Sequence, residues 1–282
     1  MIRQLTTPAA HVLRHFALGR GGVGLFGVAS WGVVWGEAKI ARRAIPVLAG
    51  APLADGIYGT GDGDLLHLTM MGDSTACGLG ADRPEERPGA RIATALADDL
   101  AAGNRRVLLE VAAISGSRSS DLEAQVNRVL LTPPDVAVVS VGANDIIHWV
   151  APGVAVGDLS RALHRLREAG VAVVLGTCPN LGTAGPLPPP LRQVAAARCI
   201  TLATAQRAAA DTAGAHVVPL GVLGPVFRSD HTLFCSDRFH PSGAGYRYLA
   251  AAFLPAVREA VGSPSPAVGT GTGRGTAEPV GH

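Results

Sequence analysis

Short apolar runs alternate with longer amphipathic segments through most of the chain. Each run has five to seven residues and is dominated by aliphatic side chains, the composition of strands covered on both faces. The runs predict five strands: Leu65–Met71, Arg106–Ala112, Asp135–Val141, Val171–Leu175 and His216–Leu220. The amphipathic segments predict five helices: Gly89–Ala102, Asp121–Leu131, Leu159–Ala169, Leu191–Ala213 and Ser242–Val261. Because a helix follows every strand, the pattern predicts an α/β fold with a five-stranded parallel sheet and helices on both faces.

The segments that flank this pattern differ from it in composition. Residues 45–64 are rich in Pro, Gly and Asp and predict a linker. Residues 262–282 lack large apolar side chains and predict a disordered tail. The predicted organisation is therefore an N-terminal segment over residues 1–44, the linker, a domain over residues 65–261 and the tail.

The N-terminal segment contains an uncharged run of 16 residues, Gly21–Gly36, with basic residues on both sides. A membrane-spanning helix needs about 20 mostly apolar residues. Phe16–Leu18 would extend the run if the Arg20 side chain reached toward the lipid headgroups. Trp31 and Trp35 near one end are typical of a membrane interface.

Three interpretations of this run are open: a membrane anchor, a cleaved secretory signal, and a helix packed on the domain. Val28-Ala29-Ser30 has the small residues of a cleavage site, but apolar residues continue beyond it, which argues against cleavage. An anchor implies membrane contact through residues 1–44 and a membrane-associated or cell-envelope location. The alternative location is the cytoplasm.

Charge and cysteine content narrow the function classes. The net charge is +2 and no long Lys/Arg run occurs, so nucleic acid is not a predicted partner. The segment Gly72–Gly80 matches neither GxGxxG nor GxxxxGK[ST], which disfavours dinucleotide and triphosphate binding. No cysteine pair has CxxC spacing, so a zinc site is not predicted, and both buried thiols and disulfides stay open. The four cysteines are Cys77, Cys178, Cys199 and Cys235.

Chemically useful side chains follow several of the predicted strands. In an open α/β sheet the loops after the strands meet at the carboxyl edge, where ligands bind. Together these loops carry a hydroxyl, an imidazole, a carboxylate, an amide and glycine N–H groups, which are the parts needed for acyl transfer. The residues are Ser74 after the first strand, Gly116 after the second, Gly142 and Asn144 after the third, and Asp237 and His240 in the long loop after the fifth.

Four short motifs resemble the four blocks of the SGNH (GDSL-type) hydrolases. They are GDS at Gly72–Ser74, the glycine Gly116, GAND at Gly142–Asp145 and DRFH at Asp237–His240. The resemblance extends from Leu65 to about Val261, and the N-terminal segment is similar to that of a subgroup of actinobacterial members. It implies a three-layer α/β/α sandwich of the flavodoxin-like type and an ester hydrolase without a metal or organic cofactor. One departure is Thr75, where the family name has a leucine.

The resemblance also implies a role for each site residue. Ser74 would be the nucleophile, His240 the general base, and Asp237 the residue that orients the imidazole. The oxyanion hole would consist of the backbone N–H groups of Ser74 and Gly116 and the side-chain amide of Asn144. The spacing Asp237-x-x-His240 lets the carboxylate reach Nδ1 while Nε2 faces the serine.

Other chemical interpretations of the same region have less support. Asp237 and His240 could bind a metal, but a third ligand at suitable spacing is missing. Cys77 lies near the serine but has no partner spacing of its own. The remaining candidates are more simply structural or solvent-exposed residues. They are His67, His148, His231, Arg118 and Arg238.

The predicted function is hydrolysis of short-chain carboxylic esters through an acyl-enzyme. Only six Phe and three Tyr occur and no long apolar lid is evident, which favours an esterase over a lipase. The substrate would be a small-molecule or glycan-linked ester. One alternative is an envelope acetylesterase or acyltransferase acting on carbohydrate, and another is a non-catalytic, membrane-tethered binding module. The sequence does not indicate an oligomeric state.

Overall fold

Six strands form one central sheet in the computed structural model, which describes residues 54–185 and 187–262. The spatial order is β1-β3-β2-β4-β5-β6; strands β2 to β6 are parallel, and β1 runs antiparallel to β3. The strands are β1 (Gly56–Tyr58), β2 (Leu65–Gly72), β3 (Arg106–Val111), β4 (Val136–Ser140), β5 (Ala172–Gly176) and β6 (His216–Val218).

Helices connect the strands and cover both faces of the sheet. Within the described residues they are α1 (Ser74–Cys77), α2 (Pro88–Leu100), α3 (Leu122–Val129), α4 (Ala143–Ile147), α5 (Pro152–Glu168), α6 (Leu191–Ala213), α7 (Gly224–Ser229) and α8 (Gly243–Gly262). Helices α2 and α8 pack on one face, and α3, α5 and α6 cover the other.

Alternation along the buried strands explains these three layers. Successive side chains of a strand point to opposite faces, so an uninterrupted apolar strand must be covered twice. Val138 belongs to the cluster that contains Phe253 of α8, whereas the next residue, Val139, belongs to the cluster that contains Leu163 of α5. The predicted α/β fold, a three-layer sandwich around a parallel sheet, is confirmed.

The strand count requires a correction, because the sheet has six strands instead of five. The sixth, β1, lies within the segment predicted as a linker and pairs with β3 from Gly56↔Leu109 to Tyr58↔Val107. The Asp55 carboxylate also accepts a hydrogen bond from the backbone N–H of Val111 at 2.8 Å. Residues 56–58 are therefore part of the sheet, and Asp55 is tied to its edge.

The terminal segments lie outside the described residues, so the predicted N-terminal anchor and C-terminal tail remain predictions. Within the part of the chain that the structure describes, no helix is both long and apolar enough to cross a membrane.

Strand order determines where the site lies. Strand β2 pairs with β3 on one side and with β4 on the other. The loops after these strands therefore diverge to opposite faces and leave a crevice at the carboxyl end of β2, which is the usual ligand position in this type of sheet.

Candidate active site

Ser74 begins helix α1 immediately after strand β2 and a sharp turn. Gly72 adopts φ +123°, and a side chain there would overlap the backbone carbonyl of Ser140 on the neighbouring strand. The Asp73 carboxylate caps α1 by accepting a hydrogen bond from the N–H of Thr75 at 2.9 Å. The turn therefore requires glycine, and it places the serine hydroxyl at the carboxyl edge of the sheet.

His240 lies against this serine although it is 166 residues away in sequence. Its Nε2 is 3.0 Å from the Ser74 hydroxyl oxygen, and its Nδ1 is 2.6 Å from Oδ2 of Asp237. The imidazole is buried, and the Asp237 side chain is 0% exposed. The three side chains thus form one continuous hydrogen-bonded row.

The Asp237 carboxylate is held by donors on both oxygens. Its Oδ1 accepts the N–H groups of Phe239 at 2.7 Å and His240 at 2.9 Å, and the Cys235 thiol at 3.0 Å. Burial raises the pKa of this carboxyl, but the hydrogen bonds from His240, Cys235 and the backbone outweigh burial and leave the pKa below its usual value. An ionised Asp237 accepts the Nδ1 hydrogen of His240, which leaves Nε2 as an acceptor facing Ser74.

The predicted oxyanion donors border the same cavity as Ser74 and His240. Asn144 is the second residue of α4, and its Nδ2 donates to the carbonyl of Ser117 at 3.0 Å. A primary amide has two hydrogens, so one remains for a substrate oxygen. Gly116 adopts φ +86° in a turn with open space around it. The structure thus brings Ser74, Gly116, Asn144 and His240 to one cavity, with Asp237 behind the histidine.

The cavity has a volume of about 360 Å³ and two kinds of lining. Its polar lining comes from the loops after β3, β4 and β5: Ser115, Asn144, His148, Asn180 and Thr183. Apolar side chains come mainly from the loop after α1, the segment after β6, and α8: Leu79, Leu220, Leu223, Phe227, Phe234 and Leu249, with Ile147 and Leu181 added by the segments after β4 and β5. Pockets of this size with few polar groups are typical small-molecule sites.

The sequence prediction missed this apolar lining because it treated the segment after β6 as a loop. Leu220, Leu223 and Phe227 are spaced by three and four residues, which is a helical signal. The segment forms a 3₁₀ turn followed by α7. The spacing could therefore have identified one face of the segment as a buried wall.

The other sequence candidates have different positions. His148 does border the cavity, and its Nδ1 is 2.8 Å from the carbonyl oxygen of Asn144. Cys77 is half-buried, and burial together with the nearby Asp73 raises the pKa of its thiol to about 11, which disfavours a thiolate nucleophile.

The remaining candidates do not border the cavity. His231, Arg118 and Arg238 are solvent-exposed, and His67 lies on β2 with its Nε2 3.4 Å from Glu110. None of the four cysteines of the chain forms a disulfide bond. Across residues 54–185 and 187–262 no cluster of three or more His, Cys, Asp or Glu side chains could hold a metal ion.

A serine, histidine and aspartate in a hydrogen-bonded row, beside amide and N–H donors, is the arrangement of the serine hydrolases. Comparison with known proteins identifies the family. The model of the GDSL-like lipase/acylhydrolase family matches residues 70–248. GDSL-like esterase Rv1075c of Mycobacterium tuberculosis is 40% identical over 241 residues, which cover 80% of this chain and 76% of that relative. The chain belongs to the GDSL-like lipase/acylhydrolase family and is an esterase of the GDSL type.

Solved structures share the fold at low sequence identity. One is the esterase EstA of a Pseudoalteromonas species, inhibited by monoethylphosphonate, with a TM-score of 0.54 and 17% identity. The match covers 69% of this chain and 97% of the EstA chain. A Geobacillus acetyl-xylooligosaccharide esterase has a TM-score of 0.53 and 22% identity and covers 70% of this chain and 95% of its own. At these identities the likeness establishes the fold alone.

Proposed function

We propose that this protein hydrolyses carboxylic esters with a short acyl chain through a covalent acyl-serine intermediate. The observation that carries the proposal is the row Ser74–His240–Asp237, whose serine end opens into a largely apolar cavity. A hydroxyl is a weak nucleophile until a base accepts its proton, and His240 is within hydrogen-bonding distance to do so.

In the acylation step the Ser74 oxygen attacks the ester carbonyl carbon while its proton moves to Nε2 of His240. The negative charge that forms on the carbonyl oxygen is stabilised by the N–H groups of Ser74 and Gly116 and the amide of Asn144, each worth about 3 kcal/mol in comparable sites. His240 then gives its proton to the departing alkoxide oxygen, and the C–O bond breaks. Asp237 stabilises the imidazolium formed in between.

In the deacylation step a water molecule attacks the acyl carbon and gives a proton to His240. The tetrahedral intermediate then collapses, the Ser74 oxygen takes the proton back, and the carboxylic acid leaves. The apolar lining favours an acyl group over a sugar in the cavity, because Leu223 and Phe227 offer no hydrogen bonds to sugar hydroxyls.

Labelling with a fluorophosphonate tests the proposal directly. We expect labelling of the wild type and its loss in Ser74→Ala and in His240→Ala. Ser120→Ala is the matched control, because this serine is solvent-exposed, and it should label like the wild type. Labelling that persists in Ser74→Ala would refute the proposal. Acetate release from acetylated glycan, with little activity on free acyl esters, would instead favour the carbohydrate acetylesterase.

We further propose that residues 1–44 bring the enzyme to a membrane, on the strength of the apolar run Gly21–Gly36 and its basic flanks. Fractionation of cells that express the full chain or a chain lacking residues 1–44 tests this. The full chain should sediment with membranes and the shortened chain should not. Equal amounts of both in the supernatant would contradict membrane contact.

A further inference from the structure

Helices α3 and α6 each place one buried glutamine side chain against the backbone near the site. Gln125 on α3 is 2% exposed, and Gln206 on α6 is 0% exposed. Glutamine is mostly exposed in proteins, and a buried amide that lacks partners is costly. In both side chains the amide oxygen and the amide nitrogen form hydrogen bonds with backbone groups at the carboxyl ends of strands.

Gln125 binds the last residue of β2 with both ends of its amide. Its Oε1 accepts the N–H of Gly72 at 2.7 Å, and its Nε2 donates to the carbonyl of the same residue at 2.8 Å. Pairing between β2 and β3 stops at Met70↔Val111, and beyond it the carbonyl of Gly72 still accepts the N–H of Ile114 at 3.1 Å, whereas the N–H of Gly72 is bonded to Gln125. Nε2 is also 3.2 Å from the hydroxyl oxygen of Ser117, whose carbonyl holds Asn144.

Gln206 instead links the ends of two strands, β4 and β5. Its Oε1 accepts the N–H of Cys178 at 2.6 Å, and its Nε2 donates to the carbonyl of Val141 at 3.0 Å. The ladder between these strands ends at Ser140↔Gly176, one and two residues before the bridged groups. Val141 leads directly into the turn at Gly142, two residues before Asn144.

The geometry points to Gln125 and Gln206 as positioning residues that hold the Ser74 turn and the Asn144 turn in register. Where neighbouring strands separate to open a crevice, their buried N–H and C=O groups lose their partners. A glutamine side chain carries the same donor and acceptor as a peptide group, and here it replaces the missing neighbour of the Gly72 N–H, the Cys178 N–H and the Val141 carbonyl. This inference rests on the proposed function, because it assigns these turns to the nucleophile and an oxyanion donor.

Replacement by methionine gives the sharpest test, since it keeps the length of the side chain and removes its hydrogen bonds. We expect Gln125→Met and Gln206→Met to lower kcat on a soluble chromogenic ester roughly tenfold to a hundredfold, because small displacements of reacting groups cost that much. KM should stay unchanged, since the acyl-binding lining is not touched.

Two controls separate positioning from stability. Gln193→Met changes an exposed glutamine on α6 and should have no effect. Leu166→Val trims a fully buried side chain on α5 next to the start of β5, at the opposite edge of the sheet, and should lower Tm without lowering kcat. All kinetics are measured at a temperature at which circular dichroism shows each variant folded.

The outcomes distinguish the two proposals. If Ser74→Ala keeps the activity, the proposed function itself fails. If Ser74→Ala is inactive but both methionine variants have wild-type kcat and a lowered Tm, the glutamines are only structural and the inference is overturned. Where a methionine variant yields no folded protein, Gln125→Asn and Gln206→Asn replace it, because the amide is shorter by one methylene and no longer reaches the backbone groups. A folded asparagine variant with wild-type kcat would equally overturn the inference.

Discussion

At the scale of single residues, Asp237 determines which nitrogen of His240 carries the hydrogen. Its ionised carboxylate accepts from Nδ1 at 2.6 Å, and this tautomer leaves Nε2 able to take the serine proton. In Asp237→Asn the amide nitrogen can donate to Nδ1, which moves the hydrogen to Nε2. We expect kcat to fall by about 10⁴-fold, as for the same change in a Ser-His-Asp protease.

Steady-state hydrolysis of a soluble chromogenic ester measures the effect of Asp237→Asn. Asp230→Asn is a suitable control, because Asp230 is exposed and caps a 3₁₀ turn through the N–H and the hydroxyl of Thr232. Its activity should equal that of the wild type. A tenth or more of the wild-type kcat in Asp237→Asn would contradict the assigned role.

Asp73, next to the proposed nucleophile Ser74, makes stability depend on pH. Burial raises the pKa of its carboxyl to about 7, the Thr75 N–H acts in the opposite direction, and the charge of Asp145 adds to the increase. Because this folded-state pKa lies above the unfolded value of about 3.9, the folded protein binds more protons between these values. The contribution to stability is therefore complete below about pH 4 and is lost as the pH rises through about 7.

Asp73→Asn should remove this dependence, because an amide oxygen can still cap Thr75 but does not ionise. From pH 5 to pH 7 the free energy of unfolding of the variant should rise relative to the wild type, by at most about 1.4 kcal/mol per pH unit. Urea unfolding of both proteins at pH 5, 6, 7 and 8 measures the difference, from which all other titrating groups cancel. A difference that is constant with pH would show that Asp73 is ionised throughout.

Sequence patterns predicted the proximity of Ser74, Gly116, Asn144 and His240, since each follows a strand and parallel strands share one carboxyl edge. They did not predict Gln125 or the matching glutamine on α6. A polar residue in an amphipathic helix is expected to face water, and only the packed structure shows that this side chain replaces a strand partner.

At the scale of elements, two turns with positive φ differ in the space around them. A side chain at Gly72 would overlap the backbone of β4. A side chain at Gly116 would meet open space, so the only cost there is the strained backbone conformation. We expect Gly116→Ala to cost about 1–2 kcal/mol of the free energy of unfolding and Gly72→Ala to cost more than about 4 kcal/mol. Urea unfolding measures both. Equal losses would mean that the β2 turn can relax away from Ser140.

Element boundaries were predicted best where apolar runs of five to seven residues defined them. The five parallel strands stood out for that reason, but β1 has only three residues in a Gly- and Asp-rich stretch and gains its order from pairing with β3. Helix α5 begins at Pro152, seven residues before the predicted Leu159, because proline fits the first turn and the following Gly-Val-Ala residues lack a strong amphipathic pattern. Tertiary contacts decide such weakly patterned segments.

At the scale of the whole molecule, the cavity joins the strand-end loops to a wall built by α7 and α8. Phe227 on α7 is almost fully buried and packs edge-on against Phe234 with ring centroids 5.2 Å apart. Both rings border the cavity, so they limit the space available to an acyl chain. If the wall sets chain length, removing one ring should admit longer chains while the Ser74–His240 pair stays in place.

Phe227→Ala should therefore raise kcat/KM for octanoyl relative to acetyl esters, by roughly 10-fold or more, since a single methylene in an apolar pocket is worth about 1–3 kcal/mol. A panel of p-nitrophenyl esters from acetyl to decanoyl measures the shift, at a temperature where the variant is folded. Tyr248→Ala is the matched control, because this aromatic residue lies on the exposed side of α8 and does not border the cavity, so its chain-length profile should equal that of the wild type. An unchanged profile in a folded, active Phe227→Ala would mean that the acyl chain leaves the serine along the polar lining instead.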